Sequence, residues 1–255
     1  MASLRYSHIP FPPKAVELFP FVFQLLLIRH AQSANNALPE SQRVPDPGLT
    51  KLGQQQAERL SDWLTCYRPT QLLCSGFRRA LETTKPMAQK LNLRPSVRSD
   101  LFEQGGCYSG YQANQISAAP GMGRSEILQD FGDWEVDHHI SEHGWYHGRD
   151  LETDEQSIER AQLVAGWVKD ELLAKSLDSS ELNRPALVIH ADFKALLLNA
   201  ILQTRTPSSL LFSNNAYFLA EVWNASVTQL SWVGNRWRLD FWNSIGHLPV
   251  EQLTH

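Results

Sequence analysis

Three short apolar runs constrain the fold more than any other feature of the sequence. They read "LLLIRH" (25–30), "LLCSGFRR" (72–79) and "ALVIH" (186–190), and each ends in polar, reactive residue types. Short, nearly continuous apolar runs are typical of strands that are buried on both faces of a parallel sheet. Segments with helical spacing lie between them. The sequence therefore predicts an α/β fold, a three-layer α/β/α sandwich with a mostly parallel central sheet.

The remaining elements follow from local signals. Thr50 is a plausible cap for a helix in which Leu52, Leu60 and Leu64 recur at helical spacing. A helix over 77–91 contains Pro86, which is expected to bend or split it. Further helices are predicted at about 154–175 and over 191–202, and alternating, aromatic-rich segments at 216–223, 225–233 and 236–242 predict strands that add an antiparallel part to the sheet.

Length and composition indicate one large core. A chain of 255 residues with 42% apolar residues can form a single domain, predicted here over 21–255 and preceded by an extended arm at 1–20. The segment at about 105–150 does not continue the alternation of strands and helices, and it is rich in glycine, histidine and aromatic residues. This segment is predicted to be an inserted flap, either a lid or substrate wall or an irregular surface segment without a role in chemistry.

Charge, hydropathy and cysteine content exclude several function classes. With a net charge of −4, the chain lacks the overall excess of basic residues that is typical of nucleic-acid-binding proteins. The apolar run at 18–28 is far shorter than the roughly 20 residues that span a bilayer, so no membrane association is predicted. Three cysteines without CxxC spacing favour a reducing compartment. We therefore expect a cytoplasmic protein.

The three strand ends predict one site. Ligands of open parallel sheets bind at the carboxyl ends of the strands, so Arg29, His30, Arg79 and His190 are expected around one crevice, near Ser75 and the helix start that follows it. Arginines can clamp a phosphate, and a neutral imidazole can attack phosphorus. A second histidine can donate hydrogen bonds to the transferred oxygens. This set predicts phosphoryl transfer that needs neither metal nor cofactor.

Five ordered motifs resemble those of the histidine phosphatase superfamily, the group that includes cofactor-dependent phosphoglycerate mutases. They read "LLLIRHAQSANN", "DPGLTKLGQQQAERL", "CSGFRRALETT", "LFEQGG" and "VIHADFKALLLNAIL", and "NASVTQLSW" resembles the closing strands of the family. The similarity covers roughly residues 21–104 and 153–248. The resemblance implies the family's α/β fold and a phosphatase or a mutase.

The resemblance also implies a role for each matching residue. His30 would be the nucleophile that becomes phosphohistidine, and Arg29, Arg79 and His190 would hold the phosphoryl oxygens. Glu103 would protonate the leaving oxygen and then deprotonate the attacking water. Asn36, which closes the first motif, would line the phosphate pocket.

Four positions depart from the motifs or leave alternatives open. Ala31 and Ala191 stand where the family usually has glycine, which would tighten the pocket slightly. Arg78, beside the motif arginine, lies at the surface or reaches the substrate. Asp192 is a rival acid, because a related branch keeps an aspartate next to its second histidine, but the register differs by one. Its position in the first turn of a helix favours a simpler role with the helix dipole.

Two features of the inserted segment allow more than one interpretation. His139, His143 and His147 are spaced by four, but two glycines make a helix there doubtful, and no metal site is predicted. The segment's aromatic side chains would wall the substrate or form the flap's own core; they are Tyr108, Tyr111, Trp134, Trp145 and Tyr146.

The predicted function is hydrolysis of a small phosphorylated metabolite. A phosphomutase and a non-catalytic protein that binds a phosphorylated ligand remain as alternatives. The sequence does not name the substrate, and a homodimer remains open.

Overall fold

A seven-stranded sheet forms the centre of the protein. The computed structural model describes residues 23–110, 115–177, 182–202 and 222–255. The strands of the sheet are β1 (Gln24–Arg29), β2 (Gln71–Ser75), β3 (Ser96–Arg98), β6 (Glu135–Val136), β7 (Pro185–Ile189), β8 (Val227–Val233) and β9 (Arg236–Ser244). A separate two-stranded sheet consists of β4 (Tyr108–Ser109) and β5 (Ser117–Ala118). The predicted mostly parallel sheet is thus confirmed.

The order of the strands decides which strand ends meet. The order across the sheet is β6-β3-β2-β7-β1-β8-β9, with β2, β7 and β1 as direct neighbours. These three strands are parallel, with Leu26 opposite Ala186 and Leu72 opposite the same alanine. Their carboxyl ends therefore lie side by side. Strand β8 runs antiparallel to β1, and β9 antiparallel to β8, which is the antiparallel addition that the sequence predicts.

Helices cover both faces of the sheet. They are α1 (Ala34–Ala37), α2 (Lys51–Tyr67), α3 (Arg78–Leu91), α4 (Arg124–Phe131), α5 (Asp154–Trp167), α6 (Ala174–Leu177) and α7 (Ala191–Leu202). A wider helical turn, Val168–Leu173, joins α5 to α6. On β1, Leu26 and Ile28 pack with α2 and α3 on one face, while Leu25 and Leu27 pack with α5 and α7 on the other. Both faces are buried, which explains why the strand is apolar at every position.

Helix α2 begins where it does because of a cap and a close approach. The Thr50 hydroxyl accepts a hydrogen bond from Gly53 N at 3.0 Å, as the sequence predicts. A Cβ atom at position 53 would lie 2.0 Å from the carbonyl oxygen of Gln32. Only glycine lets the helix approach the loop that follows β1 this closely. The amide of Thr50 donates to the same carbonyl at 3.0 Å, so the cap of α2 is tied to that loop.

Two expectations have a different outcome. Helix α3 runs unbroken through Pro86, whose ring is buried, so the expectation that it splits the helix is wrong. Tertiary packing of α3 against α2 outweighs the lost backbone hydrogen bond. The predicted strand at 216–223 falls largely outside the described residues, and its last two residues, 222 and 223, are not in a strand.

The predicted insertion at 105–150 packs against the main core. Its strand β6 pairs in parallel with β3 at the sheet edge. The ring of Trp145 lies 4.5 Å from that of Phe77 and 5.8 Å from that of Phe102, measured between centroids. Trp145 and Tyr146 are almost fully buried. The boundaries of the insertion and the arm at 1–20 stay predictions, and the arm lies outside the described residues.

Candidate active site

Four basic or imidazole side chains meet at the carboxyl ends of β1, β2 and β7. Arg29 and His30 end β1, His190 follows β7, and Arg79 lies in the first turn of α3, which follows β2. Their exposed fractions are 7%, 3%, 0% and 9% in that order. His30 and Arg79 line a cleft of about 190 Å³, and the ring of His190 lies 5.1 Å from that of His30, measured between centroids. We call the four residues the basic floor of this cleft. The strand-end prediction thus matches the observed placement. Ser75 is close by, but it is fully buried, and its hydroxyl accepts from Phe77 N.

Two hydrogen bonds define the tautomer of His30. Its Nδ1 lies 2.7 Å from the carbonyl oxygen of Ala31, and because a carbonyl only accepts, Nδ1 must carry the hydrogen. On the other side of the ring, Arg79 Nε donates to His30 Nε2 at 3.1 Å, which requires a lone pair on Nε2. Both contacts describe the same neutral imidazole. Its unprotonated nitrogen lies at the floor of the cleft.

Burial and two guanidinium groups keep His30 neutral. Desolvation is the main cause that holds the pKa of His30 well below its usual range, and the charges of Arg79 and Arg29 act in the same direction. His190 is also shifted to a lower pKa, chiefly by burial and then by Arg79. Both imidazoles are therefore uncharged near neutral pH.

The backbone around His30 is fixed by residues that the sequence analysis did not single out. Ala31 N donates to the Thr83 hydroxyl at 3.0 Å, and this hydroxyl donates to the carbonyl of Arg79 at 2.6 Å. The His30 carbonyl accepts from Ala225 N at 3.1 Å and from the Asn224 side chain at 3.3 Å. Thr83 therefore couples the strand that carries His30 to the helix that carries Arg79. Thr83 is the first of the two threonines that close the "CSGFRRALETT" motif, and this motif position is the signal that the sequence offers for it.

His190 and Arg29 have polar atoms that no described residue binds. Both ring nitrogens of His190 are buried without a hydrogen-bond partner in the part of the chain that the structure describes. Arg29 donates from one terminal nitrogen to the carbonyl of Val222, while its Nε has no partner among the same residues. Burial lowers the pKa of Arg29 to about 10, although Glu103 and Asp192 oppose this shift. Buried polar atoms without partners need a ligand or water.

Asn36 lies at the edge of the cleft with its amide oriented. Its Oδ1 accepts from the backbone and the hydroxyl of Ser33, at 3.0 and 2.9 Å, and from the Asn224 side chain at 3.4 Å. These contacts occupy the carbonyl end of the side chain. The amide NH₂ is therefore the end that is left to donate to a ligand.

Glu103 lines the same cleft as His30 and Arg79. Its Oε1 accepts from Phe193 N at 3.0 Å and from Gln104 N at 2.9 Å, and Oε2 lies 3.5 Å from Asp192 N. Glu103 thus caps the start of α7, the helix that follows His190. This contact joins the loop after β3 to the loop after β7, and it brings a carboxylate next to the basic floor.

A buried ion pair supports the loop that carries Glu103. Arg160 and Glu152 form a two-pronged pair, with Nε–Oε1 and NH2–Oε2 distances of 2.7 Å. The remaining terminal nitrogen of Arg160 donates to the carbonyls of Asp100 and Phe102, each at 2.9 Å. These carbonyls directly precede Glu103 in the chain. Sequence analysis did not identify Arg160, because nothing in a single sequence pairs it with residues 58 to 60 positions away.

Asp192 faces the same cleft as Glu103. The Asp192 side chain is exposed and lines the cleft. Because protein surrounds the cleft, its carboxylate is less hydrated than one on an open surface. The charge of Glu103 is the main cause that raises the pKa of Asp192 to about 7; desolvation adds to it and Arg29 opposes it. A helix dipole alone would lower this pKa. We call Glu103 and Asp192 the acidic wall.

The outer part of the cleft contains residues that the motifs do not identify. Arg43 and Tyr108 line it, together with Asn35 and Gln104. Arg43 is exposed, and its guanidinium makes no ion pair with a described residue. Arg78, in contrast, forms ion pairs with Glu126 and Asp130 at 3.2 and 3.1 Å, on a surface outside the cleft.

The aromatic residues of 105–150 divide into two groups. Trp134, Trp145 and Tyr146 belong to the buried core cluster, which favours the packing interpretation for these three. Tyr108 lines the cleft, which favours the substrate-wall interpretation for that residue. Tyr111 lies outside the described residues.

The histidine-rich segment does not form a helix. Residues 137–148 form turns and a short bridge, so His139, His143 and His147 do not share a helix face. Another group, Asp137, His138 and His139, has ligand-type atoms within 4.8 Å of one another. The Asp137 carboxylate already accepts from the backbone and hydroxyl of Ser99, at 3.1 and 2.6 Å. The group lies at the surface, outside the cleft.

Over the described ranges, no helix combines the length and the apolar composition that a membrane crossing requires.

Comparisons with known proteins agree with the motifs. The model of the histidine phosphatase superfamily (branch 1) matches residues 25–245. The chain is 30% identical, over 90% of its length and 98% of the relative's, to glucosyl-3-phosphoglycerate phosphatase of Mycobacterium tuberculosis. It is 27% identical to the protein of the same name from Mycolicibacterium vanbaalenii, over 91% and 99% of the two chains.

A solved structure shows the same fold. The native structure of mycobacterial glucosyl-3-phosphoglycerate phosphatase superposes with a TM-score of 0.54 at 25% identity, covering 87% of this chain and 98% of that one. The relatives are named phosphatases, which agrees with the predicted enzyme class. The chain therefore belongs to branch 1 of the histidine phosphatase superfamily, and its enzyme class is that of a phosphoric monoester hydrolase.

Proposed function

We propose that the protein hydrolyses a small phosphorylated metabolite through a phosphohistidine formed on His30. The observation that carries this proposal is the tautomer of His30, with hydrogen on Nδ1 and a lone pair on Nε2 at the cleft floor. A nucleophilic nitrogen must be unprotonated. The lowered pKa of His30 maintains this form at and below neutral pH.

The basic floor binds and neutralises the transferred group. Arg29 and Arg79 supply the positive charge, and the neutral ring of His190 supplies one N–H donor, since neither of its ring nitrogens has a partner among the described residues. The amide of Asn36 donates at the edge of the cleft. Groups that are held in place before the substrate arrives need no reorganisation as charge develops. This set fits a planar phosphoryl group in transfer without calling on a metal or a cofactor.

Glu103 acts as general acid and then as general base. In the first step, His30 Nε2 bonds to phosphorus, the ester P–O bond breaks, and a proton from the acidic wall goes to the leaving oxygen. In the second step, water attacks phosphorus, its proton goes to Glu103, and the P–N bond breaks to release phosphate. The position of Glu103 in the lining of the cleft that contains His30 supports this role.

The substrate is proposed to carry a second anionic group. Arg43 provides an exposed cation at the outer cleft, beyond the phosphate site. The relatives named as glucosyl-3-phosphoglycerate phosphatases act on a phosphate ester of a carboxylic acid, which is the type of molecule that such a cation favours. We therefore propose a phosphorylated hydroxy acid, with or without an attached sugar, in the cytoplasm. The homodimer stays an untested prediction.

The direct test compares wild type with His30→Ala. Phosphate release from p-nitrophenyl phosphate, 3-phosphoglycerate and glucosyl-3-phosphoglycerate is measured for both, with thermal unfolding as the control for folding. We expect wild type to release phosphate and His30→Ala to lose at least about 10⁴-fold in kcat. Turnover retained by a folded His30→Ala protein would exclude His30 as the nucleophile. Transfer of phosphate between positions of 3-phosphoglycerate without release would identify a mutase, and binding without either reaction would identify a non-catalytic protein.

A further inference from the structure

Two carboxyl groups share the acidic wall of the cleft, although one acid is enough for the proposed reaction. Glu103 comes from the loop after β3 and Asp192 from the first turn of α7. Both line the cleft that contains His30. Two neighbouring carboxyl groups do not ionise independently, because the charge on one opposes the charge on the other.

The hydrogen bonds around the pair are asymmetric. Two backbone N–H groups donate to Glu103 Oε1 at 3.0 Å or less, and a third lies 3.5 Å from Oε2. Because a backbone N–H can only donate, it stabilises the ionised form of a carboxyl group, whose oxygens accept. Among the described residues, Glu103 is thus the member of the pair whose carboxyl group accepts from backbone N–H groups. The geometry therefore favours charge on Glu103 and a proton on Asp192.

The surrounding charges act in the same sense. Glu103 is the largest cause of the raised pKa of Asp192, and Arg29, below the pair, is the opposing cation. The other titratable or charged groups that line the cleft are His30, Arg43, Arg79 and Tyr108. With a pKa near 7, Asp192 holds a proton for much of the time at neutral pH.

We propose that Asp192 is a second member of the acid–base machinery, and that Glu103 and Asp192 together hold the one proton that is given to the leaving oxygen. This inference rests on the proposed hydrolysis, and it reassigns the acid of the first step from Glu103 alone to the pair. In the resting enzyme the proton lies on Asp192. When the ester P–O bond breaks, the pair gives this proton to the leaving oxygen and becomes doubly negative. When water attacks the phosphohistidine, the pair takes a proton from that water and returns to its resting state.

The test uses leaving groups that differ in their need for a proton. p-Nitrophenolate leaves without protonation. The alkoxide from benzyl phosphate, a substrate of similar size, needs a proton as it leaves. kcat/KM is measured for both substrates from pH 5 to 9 in wild type, Asp192→Asn and Glu103→Gln. The asparagine has nearly the shape of the aspartate, and thermal unfolding checks that each variant is folded.

We expect Asp192→Asn to lose about 10²-fold or more on benzyl phosphate and less than about tenfold on p-nitrophenyl phosphate. Wild type should lose activity on benzyl phosphate as pH rises through about 7, the pKa of Asp192. In Glu103→Gln this decline should move to lower pH, because the like charge is gone. Equal losses on the two substrates, or an unchanged pH profile in Asp192→Asn, would overturn the proposal. Turnover retained by His30→Ala would instead contradict the nucleophile, so the two failures are distinguishable.

Discussion

The basic floor and the acidic wall of the cleft are built in different ways. The floor residues lie at strand ends or in the first turn of a helix, and each of them is at most 9% exposed. They are placed by the order β2-β7-β1 of neighbouring strands. The wall is formed by one loop and one helix start, and its position depends on a cap and on Arg160, which pairs with Glu152 and donates to carbonyls of the distant Glu103 loop. The sheet therefore fixes the four floor residues, whereas the two carboxyl groups of the wall are held by contacts between loops.

The largest expected effect concerns the support of the wall. Arg160→Met removes the partner of Glu152, whose side chain is only 8% exposed, and leaves that carboxylate buried without its cation. Loss of one partner of a buried pair costs about 3–5 kcal/mol in the free energy of unfolding. We expect a loss of this size in urea denaturation, together with lower kcat in the folded fraction because the Glu103 loop loses its anchor.

The matched control replaces both partners. Arg160→Met combined with Glu152→Met leaves no buried charge, and it should recover most of the lost free energy of unfolding. It should not recover kcat, because the carbonyls of Asp100 and Phe102 still lack their donor. A single Arg160→Met variant that is as stable and as active as wild type would show that the wall does not depend on this pair.

The next effect concerns the floor. His190→Ala removes the ring whose nitrogens have no described partner, so a hydrogen-bond donor to the transferred oxygens is lost. Removal of one such donor costs about 10²–10³ in kcat. His247 provides the control, because its ring packs on that of Trp63, whereas the ring of His190 packs on that of His30. His247→Ala should keep its kcat, and equal losses in both variants would indicate a general packing effect.

Protonation distinguishes floor from wall by the sign of its effect on stability. His30 is neutral when folded, because its pKa is held well below the usual value, but in the unfolded chain it gains a proton below about pH 6.5. Stability is therefore lost as pH falls through that range, at up to about 1.4 kcal/mol per pH unit. Asp192 has the opposite shift: its pKa rises from 3.8 to about 7, so the folded protein gains stability as pH falls from 7 towards 4.

The matching variants should respond in opposite directions. Relative to wild type, His30→Gln should become more stable as pH falls below about 6.5. Asp192→Asn should become more stable relative to wild type as pH rises from about 4 to 7. Urea unfolding at a series of pH values measures both differences. Parallel curves for wild type and either variant would contradict the shift assigned to that residue.

The smallest expected effect lies at the outer cleft. Arg43→Gln should raise KM for 3-phosphoglycerate by about two- to fivefold, since one exposed ion pair contributes at most about 1 kcal/mol. KM for p-nitrophenyl phosphate, which lacks the carboxylate, should not change. Arg78→Gln is the control, because Arg78 pairs with residues outside the cleft. A change in KM with both substrates would place Arg43 at the phosphate instead of at a second anion.

The floor could be predicted from the sequence because its signals are local. Each strand is an apolar run that ends in a functional residue, and the rule for parallel sheets brings the ends of neighbouring strands to one edge. The helix cap at Thr50 and the strands β8 and β9 were predictable for the same reason. Motif order added Glu103 and Asn36, which no local pattern would have distinguished from surface residues.

The pairing of the two acids and the support of the wall could not be predicted, because both depend on tertiary contacts. In the sequence, Asp192 has the position of an ordinary acidic residue in the first turn of a helix. Its neighbour Glu103 becomes evident only in the structure. Arg160, Thr83 and Asn224 act through atoms on segments far away in the chain, and a single sequence does not record such pairs. Pro86 shows the reverse case, in which packing preserves a helix that local rules predict to break.

The tautomer of His30 also decides which chemical isomer the intermediate would be. Because Nδ1 carries the hydrogen that is bound to the carbonyl of the next residue, Nε2 is the ring nitrogen with a lone pair, and it can bond to phosphorus once Arg79 Nε gives up its hydrogen bond. The trapped species would therefore be a single regioisomer, the one with phosphorus on the nitrogen farther from the main chain. A P–N bond of this kind hydrolyses in acid but survives alkali. Samples quenched with acid or stained in acetic acid would lose the label, so an alkaline quench and an antibody specific for that isomer are the suitable means of detection.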